Sequence, residues 1–148
     1  GGWTSTNYAA LACTDFPKCQ GVWVPPANWQ ESFTLRRGLG RNYEYGILDS
    51  GARTAIHFTH RVWALVTTVM LSLLVIWSLL YGRHEVKIAA IFVGLALIAQ
   101  VALGISNVLL GLPLILAVAH NGGACVLLLA VITLLFLTVR DVSFRDEP

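Results

Sequence analysis

Long apolar runs constrain what this chain can fold into more than any other feature of its sequence. No residue from Val62 to Tyr81 carries a charge, and two comparably apolar runs follow, separated by Gly111-Leu112-Pro113. An α-helix that rises about 1.5 Å per residue crosses the hydrocarbon core of a bilayer in roughly 20 residues. Of the 148 residues, 56% are hydrophobic and only 12% are charged, which is too apolar for an ordinary water-soluble domain. The sequence therefore predicts an all-α membrane protein, a transmembrane helical bundle with three complete spans.

Turn and capping residues divide the chain into segments. Asp49 and Ser50 are both candidate N-caps for the first span, and Pro113 fits the first position of the third. The predicted segments are the end of a preceding membrane helix at 1–3, a long loop at 4–51, a membrane domain at 52–139 with helices at about 52–81, 86–110 and 113–139, and a polar tail at 140–148. Because the sequence opens without Met, we expect it to be a piece of a longer protein.

The loop at 4–51 is polar and aromatic and shows no sustained helical or alternating period. We expect one short helix within it, near residues 28–33. Structureless loops of this length are usually functional. The aromatic residues of the loop predict that it lies against the membrane interface rather than in bulk water. These residues are Trp23, Trp29, Phe33, Tyr43 and Tyr45.

The three cysteines divide into a loop pair, Cys13 and Cys19, and Cys125 within an apolar run. The pair is a disulfide, two free thiols or half of a metal site. No second Cys or His lies nearby in the sequence to complete four metal ligands, which favours the disulfide. Such a bond would stabilise the fold by roughly 2 to 2.5 kcal/mol and indicates an oxidising, extracytoplasmic face. Cys125 is expected to be a small core residue.

The distribution of charge predicts the orientation and excludes one class of partner. A net charge of +2 without a basic stripe argues against nucleic-acid binding. Arg83 and Lys87 in the first short turn, together with the arginines of the tail, fit the positive-inside rule, but the long loop also carries Lys and Arg. The cysteine pair decides between these signals. We therefore predict that the loop is extracytoplasmic and the tail cytoplasmic.

Two histidines fall at the same predicted depth in two different spans. His60 lies eight residues into the first span and His120 seven into the third, so both would sit roughly 10 to 12 Å below the outer helix ends. Neutral imidazoles at matched depth are what axial ligation of a haem iron requires. Gly104 and Gly122-Gly123-Ala124 would leave room for a porphyrin edge, but such residues are equally usual where membrane helices pack. The pattern predicts a haem held by His60 and His120, with bracing between helices as the alternative.

The polar residues around this pair each allow two interpretations. His57 is either a further polar group near the haem or substrate, or a structural donor to the loop. Arg61 either pairs with a haem propionate or extends to the outer headgroups. Gln100 and Asn107 lie on one face of the second span and are expected to be structural hydrogen-bonding groups. A zinc or copper site on His57 and His60 is a weaker alternative, because two histidines offer too few ligands.

Four motifs make the sequence resemble the haem A synthase family. They are Gly1 to Cys13 leading to Cys19, Ala52-Arg53-Thr54-Ala55-Ile56-His57 continuing to His60-Arg61, Gly104-Ile105-Ser106-Asn107, and Leu112-Pro113 leading to Ala119-His120-Asn121. A loop with paired cysteines, a His-Arg helix and a later histidine form a fairly specific combination. The resemblance covers nearly the whole chain. It is to the second half of the family's proteins, from the end of the fifth helix through the eighth.

The resemblance implies a place within a pseudo-symmetric eight-helix protein whose two four-helix halves each carry a pair of histidines. Proteins of the family oxidise the C8 methyl of haem O to the formyl of haem A by successive hydroxylations, with water as the oxygen source. By this resemblance His60 and His120 match the axial ligands of a haem b (iron protoporphyrin IX). Cys13 and Cys19 match the outer-loop disulfide. His57 stands where the family's first half has a reacting-site Glu, so we assign no catalytic residue here.

The same resemblance implies partners and a location. Haem O and haem A would be substrate and product, and the N-terminal half of the same protein would hold the reacting site. The lipid bilayer surrounds the spans, and haem O synthase or a second copy of the chain are further candidates. The location implied is the bacterial inner membrane.

Two other classes of function remain compatible with the residues. One is a non-enzymatic membrane cytochrome b that carries electrons, which would make no haem A from haem O. The other is a structural or assembly subunit of an oxidase, in which the intramembrane histidines only brace helices and no haem is bound.

Overall fold

The computed structural model describes residues 1–34 and 46–145, and these residues form helices, turns and one isolated β-bridge but no β-strand. Residues 35–45, which include Tyr43 and Tyr45 of the predicted loop, and residues 146–148 of the tail lie outside this description. The helices are α1 (Gly2–Thr6), α2 (Trp29–Ser32), α3 (Ser50–Tyr81), α4 (His84–Leu109) and α5 (Leu114–Arg145).

Helix α3 begins where a capping side chain is available. The Asp49 carboxylate accepts a hydrogen bond from the backbone N–H of Ala52 at 2.5 Å, and the Asp49 carbonyl accepts one from the N–H of Arg53 at 3.1 Å. Asp49 is therefore the N-cap, and Ser50, the other candidate, is the first helical residue. The helix ends before Gly82, where a Cβ atom would approach the carbonyl oxygen of Ser78 to 2.5 Å.

Helices α3, α4 and α5 are long and apolar enough to cross a membrane, over Ser50–Tyr81, His84–Leu109 and Leu114–Arg140. Large apolar side chains on them are exposed within the chain, as Trp63 (63%) and Ile115 (81%) illustrate. This exposure suits lipid and not water. The chain is an integral membrane protein, and the prediction of an all-α fold with three spanning helices is confirmed. Helix α5 continues to Arg145, since no Gly or Pro interrupts it after the apolar run.

The expectation for Cys125 is wrong. Its side chain is exposed on α5 and is not packed in a core. An apolar run that faces lipid looks the same in sequence as one that faces protein, because both environments favour apolar side chains.

The chain divides into two compact units. The first unit comprises Gly1–Ala64 and Ile105–Pro113. Its apolar core is small, with Ala9, Leu48, Ala52 and Ile56 buried and Trp3 packed against them.

The second unit comprises Leu65–Gly104 and Leu114–Pro148. Its core joins residues of three helices, and the buried members are Val86, Ala89, Ala90, Val93 and Leu134. Alanine at two of these positions lets helix backbones approach closely, as is usual in membrane proteins. A solvent-exposed ion pair between Arg140 and Glu85 also links α5 to the first turn of α4.

Candidate functional site

The side chain of His57 is buried and binds the loop that precedes α3. Its side chain is 4% exposed, and its Nδ1 accepts a hydrogen bond from the backbone N–H of Cys13 at 3.2 Å. A neutral imidazole has one N–H and one acceptor nitrogen, so this bond assigns the proton to Nε2. Nε2 in turn faces Nε of Arg61 at 3.4 Å, which is then a close approach of two donors and not a strong bond. His57 therefore accepts from the loop, and neither of its nitrogens is open to a metal.

Arg61 holds both ends of the cysteine loop. One terminal nitrogen of its guanidinium donates to the carbonyl oxygen of Lys18 at 2.8 Å, and the other donates to that of Cys13 at 3.0 Å. Cys13 and Cys19 are joined by a disulfide with their Cα atoms 4.7 Å apart. The guanidinium carbon also lies 6.0 Å from the ring centre of Phe16. The planar fork of an Arg suits this double contact, and a Lys could not reproduce it.

Asp15 and Gln20 complete the loop. The two carboxylate oxygens of Asp15 accept from the backbone N–H groups of Gln20 at 2.6 Å and Gly21 at 2.9 Å. These bonds, that from Gly21 above all, hold the pKa of Asp15 below its ordinary value. The Gln20 amide donates to the hydroxyl of Thr54 at 2.9 Å and to the carbonyl of Ala12 at 3.0 Å. The loop is thus attached to α3 at three side chains, those of Thr54, His57 and Arg61.

His60 is half-buried in the first unit, one helical turn after His57. Its Cε1 lies 3.9 Å from the point where a Cβ would stand on Gly1. Gly1 therefore lies close to this imidazole, a proximity that no sequence pattern indicated.

His120 belongs to the second unit and lies against α4. A Cβ placed on Gly104 would come within 3.1 Å of the His120 Cε1, so the ring occupies the space that the glycine leaves. The backbone carbonyl of His120 accepts a hydrogen bond from the amide of Gln100 at 3.0 Å. The His120 Nδ1 is buried and has no hydrogen-bond partner among the described residues. An imidazole with an uncommitted nitrogen is suited to bind a metal ion.

The described residues do not contain three His, Cys, Asp or Glu side chains grouped as a metal-ion site. A group that brings most of its own ligands, such as a porphyrin, needs only one or two imidazoles from the protein. His120 has a ring nitrogen without a hydrogen-bond partner among the described residues, so it fits as a ligand of such a group. Both nitrogens of His57 face other groups, so His57 does not fit.

Several partners of the predicted site residues were missed by the sequence analysis, because they act through backbone groups or lie far away in the chain. They are the carbonyls of Cys13 and Lys18, the N–H of Cys13, and the side chains of Asp15 and Gln20. Gln100, by contrast, was predicted to be a structural hydrogen-bonding group, and its amide does donate to the carbonyl of His120.

The fold and these contacts define a polytopic helical membrane protein whose intramembrane histidines are held in distinct polar environments. Residues 1–132 match the COX15-CtaA family model, described as cytochrome oxidase assembly protein. The chain belongs to this family.

Individual relatives agree with the family match. The chain is 46% identical over 134 residues to a haem A synthase of Shewanella oneidensis, covering 90% of this chain and 40% of that protein. It is 31% identical over 131 residues to a haem A synthase of Nitrosospira multiformis, covering 88% of this chain and 34% of the relative. A haem A synthase of Halalkalibacterium halodurans is 30% identical over 122 residues, with 81% and 33% covered. The chain thus spans about two fifths or less of the length of these relatives. No solved structure matches it.

Proposed function

We propose that this chain is part of a haem A synthase, and that it holds a b-type haem through His60 and His120 while the enzyme oxidises the C8 methyl of haem O to a formyl group. The family match and the names of the relatives support the reaction. The observation that carries the haem assignment is the environment of His120. Its imidazole is inside a membrane span, with a buried nitrogen that no described residue satisfies and a glycine that makes room for the ring.

An unpartnered imidazole nitrogen in an apolar span is costly unless something binds it. A haem iron would give the lone pair of this imidazole a partner, and the other ring nitrogen would then carry the N–H. His60 would supply the second axial ligand from α3. The bis-His ligand set, its burial and the nearby hydrogen bonds would set the potential of a haem b that accepts or relays electrons.

The proposed reaction removes electrons from the substrate. Converting a methyl to a formyl group with water as the oxygen source releases four electrons and four protons, so an electron-carrying group near the reacting site is required. We assign no catalytic residue to this chain. We place the oxidation in the N-terminal half of the protein, and this chain's residues hold and orient the second haem.

Arg61 and His57 have separate roles in this proposal. Arg61 anchors the cysteine loop, yet each terminal nitrogen of its guanidinium has a second N–H that the bonds to Cys13 and Lys18 do not use. These N–H groups are suited to a haem propionate. His57 is the acceptor that fixes the loop backbone, and it binds no iron. A stable Cys13–Cys19 disulfide favours an extracytoplasmic loop on the outer side of the bacterial inner membrane.

The test is the visible spectrum and haem content of the natural full-length protein, purified from membranes in detergent. His60→Ala and His120→Ala should each remove one bis-His haem relative to the unsubstituted protein. His84→Ala is the matched control, because His84 begins α4 at its exposed end and is assigned no ligand role. Full haem content in both ligand variants would refute the assignment.

Conversion of haem O to haem A by the same preparations separates an enzyme from an electron carrier. We expect the unsubstituted protein to make haem A, and both ligand variants to make less. A protein that binds haem but leaves haem O unchanged would be a cytochrome b electron carrier and not a synthase.

A further inference from the structure

Gln100 makes a hydrogen bond that the backbone of α5 does not need. Within an α-helix the carbonyl of His120 already accepts from the N–H four residues later. The Gln100 amide donates to that same carbonyl at 3.0 Å, from the neighbouring helix α4. A carbonyl oxygen has two lone pairs and can accept both bonds. The carbonyl of His120 therefore does not need the extra bond to be satisfied. The bond instead links α4 to α5 at the residue that carries the imidazole.

Two glycines are placed to permit this arrangement. A Cβ on Gly123 would stand 2.5 Å from the Gln100 Oε1, so the amide oxygen occupies the space that the missing side chain of Gly123 leaves. A Cβ on Gly104, one turn after Gln100, would stand 3.1 Å from the His120 Cε1. Helix α4 thus contributes Gln100 and Gly104, and helix α5 contributes His120 and Gly123. The polar side chain of each helix lies against the glycine of the other. General packing of small residues does not require this reciprocity.

A structural explanation alone does not account for an amide at this position. The Gln100 Oε1 is buried and has no hydrogen-bond partner among the described residues, and an unsatisfied buried acceptor is destabilising. An apolar side chain of similar size would fill the space without that cost. The amide is therefore expected to serve the one group that it does bind, which is the backbone of His120.

We propose that Gln100 is a positioning residue for His120. Its bond to the His120 carbonyl fixes the rotation of α5 about its own axis, and the rotation of the helix sets the direction in which the imidazole points over Gly104. This inference rests on the proposed function in which His120 ligates a haem iron. Groups that orient a metal-binding histidine contribute strongly to affinity, and their loss typically weakens metal binding by about 10- to 100-fold.

The decisive variant is Gln100→Leu, which keeps the volume and removes the donor. In the full-length protein purified with its haem, we expect faster transfer of haem to apomyoglobin, corresponding to about 10- to 100-fold weaker retention. We also expect a changed low-spin EPR signal, because that signal depends on the relative orientation of the two imidazole planes. Thr133→Val is the matched control, since it removes one side-chain bond to a carbonyl of α5, at Leu129, that is remote in sequence from His120. It should retain haem like the unsubstituted protein.

Gly104→Ala is a second variant, in case Gln100→Leu does not fold. The added Cβ stands 3.1 Å from the ring, so the imidazole must move by a few tenths of an ångström. Haem should remain bound with a shifted EPR signal. Unchanged EPR and retention in Gln100→Leu, with haem lost in His120→Ala, would overturn the role of Gln100 and leave the proposed function standing. Haem retained in His120→Ala would overturn both.

Discussion

The two units of the chain are stabilised by different interactions. In the first unit, side chains of α3 bind backbone groups of a loop more than forty residues away, and a disulfide closes that loop. In the second unit, helices pack through alanine, valine and leucine, and side chains such as Gln100 and Arg140 add hydrogen bonds between helices. Burial of apolar surface drives folding in water, but lipid is as apolar as the helices themselves. Polar contacts therefore specify the first unit, and close packing specifies the second.

This difference indicates where each unit tolerates change. A loop that depends on a few directional bonds should loosen when one donor is removed. A packed set of helices should respond to lost volume and ignore substitutions on its lipid-facing side.

The largest effect is expected for Leu134→Ala in the second unit. Leu134 is fully buried, and its truncation should lower the free energy of unfolding by about 2 to 3 kcal/mol, the lower part of the range for buried leucines, because lipid supplies no hydrophobic driving force. Hydrogen exchange in detergent should report it as faster opening of α4 and α5. Leu135→Ala is the control, since Leu135 is 47% exposed. Equal effects of the two variants would contradict the account that packing of buried side chains stabilises the second unit.

Removal of the disulfide is expected to rank next and to act on the first unit. Changing Cys13 and Cys19 together to Ser should destabilise this unit by about 2 to 2.5 kcal/mol, since the short loop then regains its freedom in the unfolded state. Proteolysis of the loop should speed up in the variant, and in the unsubstituted protein after reduction. A Cys125→Ser variant controls for the loss of a thiol. Slower cleavage in the double variant would contradict this account.

Arg61→Lys should loosen the same loop somewhat less, by about 2 kcal/mol, because a single ammonium cannot hold the carbonyls of Cys13 and Lys18 at once. Faster hydrogen exchange at residues 9–22, with α5 unchanged, is the expected measurement. Arg53→Lys is a matched control, as Arg53 lies two turns earlier on α3 and its side chain has no hydrogen bond to the described residues. Spread of the effect into α5 would show that the two units do not respond separately.

The smallest effect is expected from acid. Backbone N–H groups, of Gly21 for Asp15 and of Ala52 for Asp49, lower the pKa of both carboxyls. A lowered folded pKa gives stability above the unfolded value of about 3.9, and this stability is lost as the pH falls through the folded pKa. Loop proteolysis in the first unit should therefore increase below about pH 4. Changing both residues to Asn should flatten the dependence, and an undiminished acid response would refute the assignment.

Local sequence patterns were sufficient for the elements of the fold. The uncharged run from Val62 to Tyr81 predicted a span, and Asp49 was one of two predicted caps. A short helix was expected near 28–33, and α2 occupies Trp29–Ser32. Each of these depends on neighbours within a few residues, so the chain itself carries the signal.

The partners of the candidate site residues could not be predicted in this way. The sequence left two roles open for His57, one near the haem or substrate and one structural. Its bond to the N–H of Cys13, 44 residues away, favours the structural role. Arg61 binds carbonyls 43 and 48 residues away, and every residue of a chain offers the same backbone carbonyl. No side-chain pattern can mark such a partner.

The sequence by itself determined a helical membrane protein with three spans, a cysteine-containing loop and histidines inside two of the spans. Tertiary structure alone decided which face of each helix is covered, as the exposed Cys125 shows, and which backbone groups His57, Arg61 and Gln100 bind. The physical reason is that helix formation and membrane burial depend on local composition. Hydrogen bonds to a distant backbone depend on a geometry that exists only once the chain has folded.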